Sequence, residues 1–218
     1  MLVATGATLV LAAGAAHGDL PERSGEAALR FVASHDAYAL VHVVSILGGM
    51  LWAVGLRGYP RLLDDPRARV VARWASGSAL VGASVLAVQF SLDGFGLPAV
   101  ADRFAGADPV TQAMLGDVTE ITADALVGLA LLWVIVLYGV TICLLAAADL
   151  LASNGAPWIA VAGLAVGAWT AGGALGGTVV PDWLAFVSAI VAGDIWLIAW
   201  AASLQRRVDG MTRTGPSV

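Results

Sequence analysis

The strongest constraint on this chain is a series of six apolar stretches in which charged side chains are almost absent. Each is about 20 residues long, enough for a helix to cross about 30 Å of hydrocarbon. Only 12% of the 218 residues are charged, roughly half the fraction typical of a soluble domain. The pattern therefore predicts an all-α, polytopic membrane helix bundle of about six transmembrane helices. The predicted spans are residues 1–18, 37–56, 74–92, 125–148, 158–180 and 183–204.

Arginine determines the predicted orientation of this bundle. Cytoplasmic loops of membrane proteins carry an excess of basic residues. Here the basic residues concentrate in the loop between the second and third spans and in the C-terminal tail; they are Arg57, Arg61, Arg67, Arg69, Arg73, Arg206, Arg207 and Arg213. Both termini are therefore predicted to be cytoplasmic, and the mainly acidic loops 19–36 and 93–124 to lie outside. The length favours a single domain over residues 1–218, placed in the cell membrane as a multi-pass protein.

The first span is the least regular of the six. It lacks the basic start and the cleavage site of a signal peptide, so it is predicted to be retained, with its true start here or further upstream. The chain uses arginine as its only strongly basic residue and is rich in alanine, glycine and valine. This usage is typical of a GC-rich or salt-adapted prokaryotic genome.

The outer loops carry signals of local structure. Residues 26–34 predict a short amphipathic helix lying on the membrane. Asp108 followed by proline predicts a helix N-terminus, and apolar residues then recur every three or four positions, so the fourth span should be the end of a longer helix. Gly94 and Gly96 predict a turn after the third span, in which Asp93 and Asp102 have structural roles.

The fifth span is rich in glycines spaced four residues apart. The pairs are Gly163 with Gly167, Gly172 with Gly176, and Gly173 with Gly177. Small residues at this spacing let helices approach closely in lipid, so the span predicts a homo-oligomer or contact with a membrane partner protein. The net charge of −5 gives no basic patch for nucleic acid. The lipid bilayer is the one partner that the composition requires.

Asp194 is the most informative single residue, because it lies near the middle of the sixth span. A charged side chain at that depth costs about 2.5–3.5 kcal/mol on the insertion scale. It should therefore face the bundle interior, either as a proton or cation site or as a structural contact to a Ser, Thr or Tyr such as Ser45, Ser78, Tyr138 or Thr141. Trp196 and Trp200 should cover a different face, which would look at lipid.

His17 and His42 are the second candidate site. One ends the first span and the other lies just inside the second, so both sit at the outer ends of neighbouring antiparallel helices. Neutral imidazoles at equal depth can bind a metal ion or a haem iron between helices. The alternative is that each histidine hydrogen-bonds a helix-end carbonyl or a loop carboxylate.

Three acidic residues, Asp117, Glu120 and Asp124, share one face of the predicted outer extension of the fourth span. They predict either a cation-attracting mouth or the solvated side of an amphipathic helix whose other side is apolar. There is no nucleophile elbow, phosphate-binding loop, zinc-protease motif or dinucleotide fingerprint. Without lysine, a retinal Schiff base is excluded as well.

Three stretches carry a resemblance to a known group of proteins. They are Gly14-Ala-Ala-His17-Gly, Tyr38-Ala-Leu-Val-His42 and the segment from Leu92 to Phe104, Leu-Asp-Gly-Phe-Gly-Leu-Pro-Ala-Val-Ala-Asp-Arg-Phe. The chain resembles small prokaryotic six-span membrane proteins known chiefly as domains of unknown function. The resemblance implies the six-helix fold and no particular activity. Asp194 is not part of that pattern.

Three functions remain as hypotheses. The first is a non-enzymatic accessory, assembly or self-associating membrane subunit, favoured by the missing catalytic motifs and by the glycines of the fifth span. The second is a small proton- or cation-coupled transporter or channel that uses Asp194. The third is a haem- or metal-binding membrane redox protein that uses His17 and His42.

Overall fold

The computed structural model describes residues 1–17, 24–153, 156–177 and 183–213 of the chain. The described residues form nine α-helices. In chain order these are α1 Leu2–His17, α2 Gly25–Ala33, α3 Tyr38–Gly55, α4 Pro66–Ser91, α5 Leu97–Ala105, α6 Pro109–Trp133, α7 Thr141–Ala152, α8 Pro157–Gly177 and α9 Trp183–Arg213. The ends of the predicted first and fifth spans, part of the loop 19–36 and the last five residues lie outside the described residues, as does the side chain of Trp183.

The predicted all-α bundle is confirmed. Five helices are long and apolar enough to cross a membrane, and they match the second to sixth predicted spans; they run over Tyr38–Leu62, Pro66–Ala105, Pro109–Ala152, Pro157–Leu175 and Phe186–Asp209. The first predicted span forms α1, an apolar helix of 16 residues. At 1.5 Å per residue α1 is about 24 Å long, somewhat less than the hydrocarbon thickness.

Two of the helices continue through π-helical turns instead of ending. The first π turn, Leu92–Gly96, joins α4 to α5, and the second, Val134–Val140, joins α6 to α7. The prediction of a glycine-shaped turn after the third span is therefore wrong, and much of the predicted outer loop 93–124 is helical. Glycine lowers helix propensity without breaking a helix, and Leu97 and Phe104 pack the continued helix against α2.

Side-chain caps start α2 and α6, which together with α5 are named the outer helices because they begin in the loops predicted to lie outside; of the two caps, the sequence predicts the one at Asp108. Ser24 accepts a hydrogen bond from the Ala27 amide at the start of α2. Asp108 accepts hydrogen bonds from the Val110 and Thr111 amides at the start of α6, with Pro109 in the first turn. The Thr111 hydroxyl also donates to Asp108, and chiefly this bond holds the pKa of the Asp108 carboxyl below its usual value.

Helix α1 is held in the bundle by close contact with α3. A side chain at Gly6 would overlap the backbone of Gly48 and Trp52, so the two helix backbones touch there. Helix α1 also packs against α9. The antiparallel contact between α1 and α3 brings the C-terminal end of α1, with His17, to the N-terminal end of α3.

The outer helices α2, α5 and α6 form a small second layer at the same end of the bundle. Its buried apolar residues include Leu29, Val32, Leu97 and Phe104. Helix α6 contributes Gly116, Thr119 and Ala123 as its buried face. The apolar stripe that the sequence predicts along α6 is exposed; its members are Val110, Met114, Val118, Ile121 and Ala125.

Two expectations about the last helices change in the structure. Trp196 and Trp200 were expected to face lipid, but both are buried, because each indole N–H finds a polar partner inside the bundle: the Ile159 carbonyl for Trp196 and Asp149 for Trp200. Gly163 and Gly167 are used for packing within the chain, against α9 and α7. Association through the other fifth-span glycines stays a prediction.

Candidate functional site

His17, His42 and Asp93 come together at the end of the bundle next to the loops predicted to lie outside; this end is named the outer end and the opposite one the inner end. His17 is the last residue of α1, His42 lies in the second turn of α3, and Asp93 lies in the first π turn. One ligand atom from each of the three residues lies within 4.8 Å of the other two. The two histidines that the sequence analysis singled out therefore lie side by side, and a carboxylate that it treated as structural joins them; their role as ligands stays a prediction.

The three ligand atoms face one another closely. The two histidine Nε2 atoms are 3.3 Å apart, and His42 Nε2 is 3.1 Å from Asp93 Oδ2. His42 is fully buried and Asp93 is 7% exposed, whereas His17 is partly exposed. Access to the cluster from outside the protein is therefore on the His17 side.

The hydrogen bond of His42 Nδ1 determines the tautomer of the ring, and with it whether Nε2 presents a lone pair to the cluster. Its Nδ1 lies 2.8 Å from the Tyr38 carbonyl oxygen. A carbonyl can only accept, so Nδ1 must carry the hydrogen and donate it. In the neutral ring Nε2 then presents a lone pair, directed at an Asp93 oxygen that is itself an acceptor. A positive charge, either a proton or a metal ion, is needed between them.

Tyr38 and Gly94 support this arrangement. The Tyr38 hydroxyl donates to Asp93 Oδ1 over 2.5 Å, which leaves Oδ2 to face the histidine. Gly94 packs directly on His42, and a side chain there would overlap the His42 Cβ. Hydrogen-bonded partners of this kind orient ligands and are typical of metal sites.

The distances fit one metal ion with adjacent ligands. Nitrogen ligands lie about 2.0–2.1 Å from a tetrahedral zinc ion, which places two of them about 3.3–3.4 Å apart. The observed separations of 3.3 and 3.1 Å are close to that value. Two imidazoles with one carboxylate form a ligand set found with zinc and with non-haem iron.

Sequence reasoning missed Asp93, Tyr38 and Gly94 as parts of this site. One signal was present: Asp93 directly follows the last residue of an uncharged span, at the depth predicted for the histidines. A second was the position of Tyr38, four residues before His42 and hence on the same helix face. The role of Gly94 depends on a backbone contact that sequence spacing does not reveal.

Asp194 faces the bundle interior, as expected. It is fully buried, and its Oδ1 accepts a hydrogen bond of 2.9 Å from the Tyr138 hydroxyl, on the second π turn. Its other oxygen has no hydrogen-bond partner, and neither has the indole nitrogen of the buried Trp52. The ring of Trp52 lies edge-to-face against Tyr138, with centroids 5.7 Å apart.

A further buried aspartate, Asp149, lies at the opposite end of the bundle, one residue beyond the predicted end of the fourth span. It accepts hydrogen bonds from the Tyr59 hydroxyl at 2.9 Å, the Trp200 indole at 2.7 Å and the Arg207 guanidinium at 3.3 Å. The sequence analysis did not single it out. With three donors, one of them cationic, it ties α7, α9 and the turn after α3 together.

The predicted acidic face of α6 is separate from these clusters. Asp117, Glu120 and Asp124 are all exposed. Among the described residues, the group of histidine, cysteine and acidic side chains placed to hold a metal ion is His17, His42 and Asp93. Whether the acidic face attracts cations stays a prediction.

Comparison with known proteins adds no relative. The chain matches no protein-family model, and neither a curated protein nor a solved structure is significantly similar to it. The resemblance to uncharacterised six-span membrane proteins therefore stays a prediction.

Proposed function

We propose that this protein is a membrane protein that binds one divalent first-row transition-metal ion between α1, α3 and the first π turn. His17 Nε2, His42 Nε2 and Asp93 Oδ2 are the ligand atoms. The observation that carries the proposal is the convergence of three potential ligand atoms, all within 4.8 Å of one another and two pairs of them 3.3 and 3.1 Å apart, in a largely buried place. Zn²⁺ is the natural probe, because imidazole and carboxylate ligands suit it.

The same geometry favours a single metal ion over haem at these histidines. Two nitrogens on opposite sides of one metal ion, each about 2 Å away, are about 4 Å apart. Here the Nε2 atoms are 3.3 Å apart, and the ring centroids are 4.9 Å apart with the rings steeply inclined. A porphyrin between the rings needs a wider separation, whereas adjacent positions on one ion do not.

The accessory-subunit hypothesis rests on weaker support. Two of the fifth-span glycines that suggested association pack within the chain, Gly163 against Trp196 and Gly167 against Cys143. Metal binding does not exclude an accessory role, but it gives the protein a testable property of its own.

Metal content of the purified protein tests the proposal. The chain is extracted in mild detergent without chelators, equilibrated with Zn²⁺, passed through a desalting column and measured by plasma mass spectrometry. We expect about one zinc per chain in the wild type and a loss of that zinc in His42→Ala and in Asp93→Asn. A wild type that retains no zinc, or a His42→Ala variant that keeps it, would end the proposal.

His35→Ala is the matched control. His35 is an exposed histidine of the same outer region, and its Nδ1 lies 2.7 Å from the Phe31 carbonyl. We expect this variant to retain zinc as the wild type does. Circular dichroism of each variant separates loss of the ligand from loss of the fold.

We further propose that the protein lies in the cell membrane with the metal site outside and both termini in the cytoplasm. The arginines between α3 and α4 support this orientation. Gly58 and Gly106 are exposed and have open space around them. Gly58 lies between α3 and α4, at the inner end of the bundle, and Gly106 directly follows α5, at the outer end. In a Cys143→Ser background, a membrane-impermeant maleimide applied to intact cells should label Gly106→Cys and not Gly58→Cys. The reverse labelling would overturn the orientation.

A further inference from the structure

The three tyrosines of this protein share one role. Each donates its hydroxyl to a buried aspartate. The pairs are Tyr38 with Asp93, Tyr59 with Asp149 and Tyr138 with Asp194. A tyrosine hydroxyl is a neutral donor, so it satisfies one lone pair and leaves the charge of the carboxylate uncompensated.

Two of the three aspartates face a group that is cationic or that can become so. Asp149 is bound by the Arg207 guanidinium at 3.3 Å and also receives the Trp200 indole hydrogen. Asp93 faces His42 at 3.1 Å, with His17 next to it, so a metal ion or a protonated imidazole compensates its charge. In a medium of low dielectric constant a buried charge needs such a partner.

Asp194 differs from both. Tyr138 is its one hydrogen-bond donor among the described residues, and Oδ2 has no partner. Helix α9 packs against α1, α8 and the second π turn. The described parts of these elements, and of α3 and α7, hold few other titratable side chains. Cys143 faces α8, and Asp149 lies at the inner end of the bundle. The remaining ones lie at the outer end; they are His17, Tyr38 and His42. On α9 itself the nearest charged residue is Arg206, twelve residues and about 18 Å further along the helix.

Little space is left for a larger cation. A side chain at Gly193, next to Asp194, would overlap the Tyr138 ring, and Trp52, Tyr138 and Leu197 are all fully buried. A metal ion also needs several oxygen or nitrogen ligands, and the described surroundings offer the two oxygens of one carboxylate and one hydroxyl. A proton needs neither space nor further ligands.

We infer that Asp194 is a proton-binding site in the middle of the bundle, occupied at neutral pH. The carboxyl is then a neutral acid, whose carbonyl oxygen Oδ1 accepts from Tyr138 and whose hydroxyl is on Oδ2. The indole N–H of Trp52, which lies on α3 against the Tyr138 ring, is a second buried polar group without a partner. The inference is independent of the metal site, because no ligand of that site contacts Asp194.

Infrared difference spectroscopy tests this inference on the whole protein in detergent or lipid. Wild type minus Asp194→Asn should show the carbonyl stretch of one protonated carboxyl group at neutral pH, with the small downshift in D₂O that is typical of an acid. Tyr138→Phe should move this band to higher frequency, because the hydrogen bond to the carbonyl oxygen is lost. Asparagine keeps the shape of the side chain and an acceptor for Tyr138, so we expect the variant to fold.

Two controls keep the test decisive. Labelling aspartate with ¹³C in the wild type should shift the same band, so the result does not depend on folding of the variant. Exchange between sodium-free and sodium-rich buffers should leave the band unchanged. Absence of a protonated aspartate band at neutral pH, or its disappearance when sodium is added, would overturn the inference.

Discussion

The two ends of the bundle use the same pair of side chains for different purposes. At each end a tyrosine donates to a buried aspartate: Tyr38 to Asp93 at the outer end and Tyr59 to Asp149 at the inner end. The inner aspartate also binds Arg207, whose charge is permanent. The outer one faces histidines, whose charge depends on pH and whose lone pairs can bind a metal ion.

The difference teaches that burial of a carboxylate does not by itself indicate function. Asp149 accepts hydrogen bonds from three donors on other elements. The protein alone therefore satisfies the carboxylate, and we interpret Asp149 as a structural junction between helices. Asp93 meets an acceptor at 3.1 Å and is satisfied only when something positive is bound. The nature of the partner, and not the depth, distinguishes a junction from a binding site.

Removing the inner carboxylate should have the largest effect. Asp149→Ala leaves the guanidinium of Arg207 and the indole N–H of Trp200 without their acceptor. Loss of one partner from a fully buried ion pair costs about 3–5 kcal/mol. Because the Arg207 side chain is 22% exposed, we expect the free energy of unfolding in detergent to fall by about 3 kcal/mol, at the low end of that range. Asp93→Ala, measured without metal, should lower the free energy of unfolding much less, because Asp93 is not paired with a permanently charged side chain.

The double variant Asp149→Leu, Arg207→Leu sharpens this comparison. Replacing both members of a buried pair by apolar residues is far less damaging than replacing one, so most of the lost stability should return. If Asp149→Ala unfolds with the stability of the wild type, the inner end is not the junction described above.

A pair of glycine substitutions tests how the outer site is built. Gly94→Ala places a methyl group against His42, whereas Gly96→Ala, two residues further on, meets open space. Overpacking of this kind costs about 1–3 kcal/mol, and we expect Gly94→Ala to lose that much stability and to bind zinc at least tenfold more weakly. Equal zinc affinities for the two variants, measured by competition with a coloured chelator, would contradict the proposed geometry.

Removing one hydroxyl from each end should have the smallest effect on stability. Interhelical hydrogen bonds in membrane proteins contribute about 0.6 kcal/mol on average and about 1.7 at most, so Tyr38→Phe and Tyr59→Phe should each cost little. Only Tyr38→Phe should weaken zinc binding, by about 10–100-fold, since Tyr38 orients a ligand. A similar loss in Tyr59→Phe would erase the distinction between the two ends.

Much of the architecture could be predicted because lipid constrains sequence strongly. Five spans appear as long uncharged stretches, and the Asp108-Pro109 cap correctly marks the start of α6. The juxtaposition of His17 and His42 also follows from topology, since antiparallel neighbouring helices place their adjoining ends at one depth.

The errors arise where a helix is apolar on every side. Helix α9 has tryptophans on a face that the sequence does not identify as inner or outer, and the polar partners of Trp196 and Trp200 come from α8 and α7. Asp93 was assigned to a turn because two glycines follow closely. The packing of α5 against α2 keeps the segment helical, and that contact is not visible in the local sequence.

The two π turns have a consequence for insertions and deletions. A π turn holds one residue more than an α turn, and each of the two carries a member of a tyrosine–aspartate pair, Asp93 in the first and Tyr138 in the second. Deleting the extra residue would restore regular α-helix and leave the helix beyond it in nearly the same orientation, but it would remove the bulge that presents Asp93 or Tyr138. Deleting a residue from the regular α-helix on either side would instead rotate everything beyond it by about 100°. The chain length of these helices, counted to one residue, is therefore as much a part of each site as the identity of its side chains.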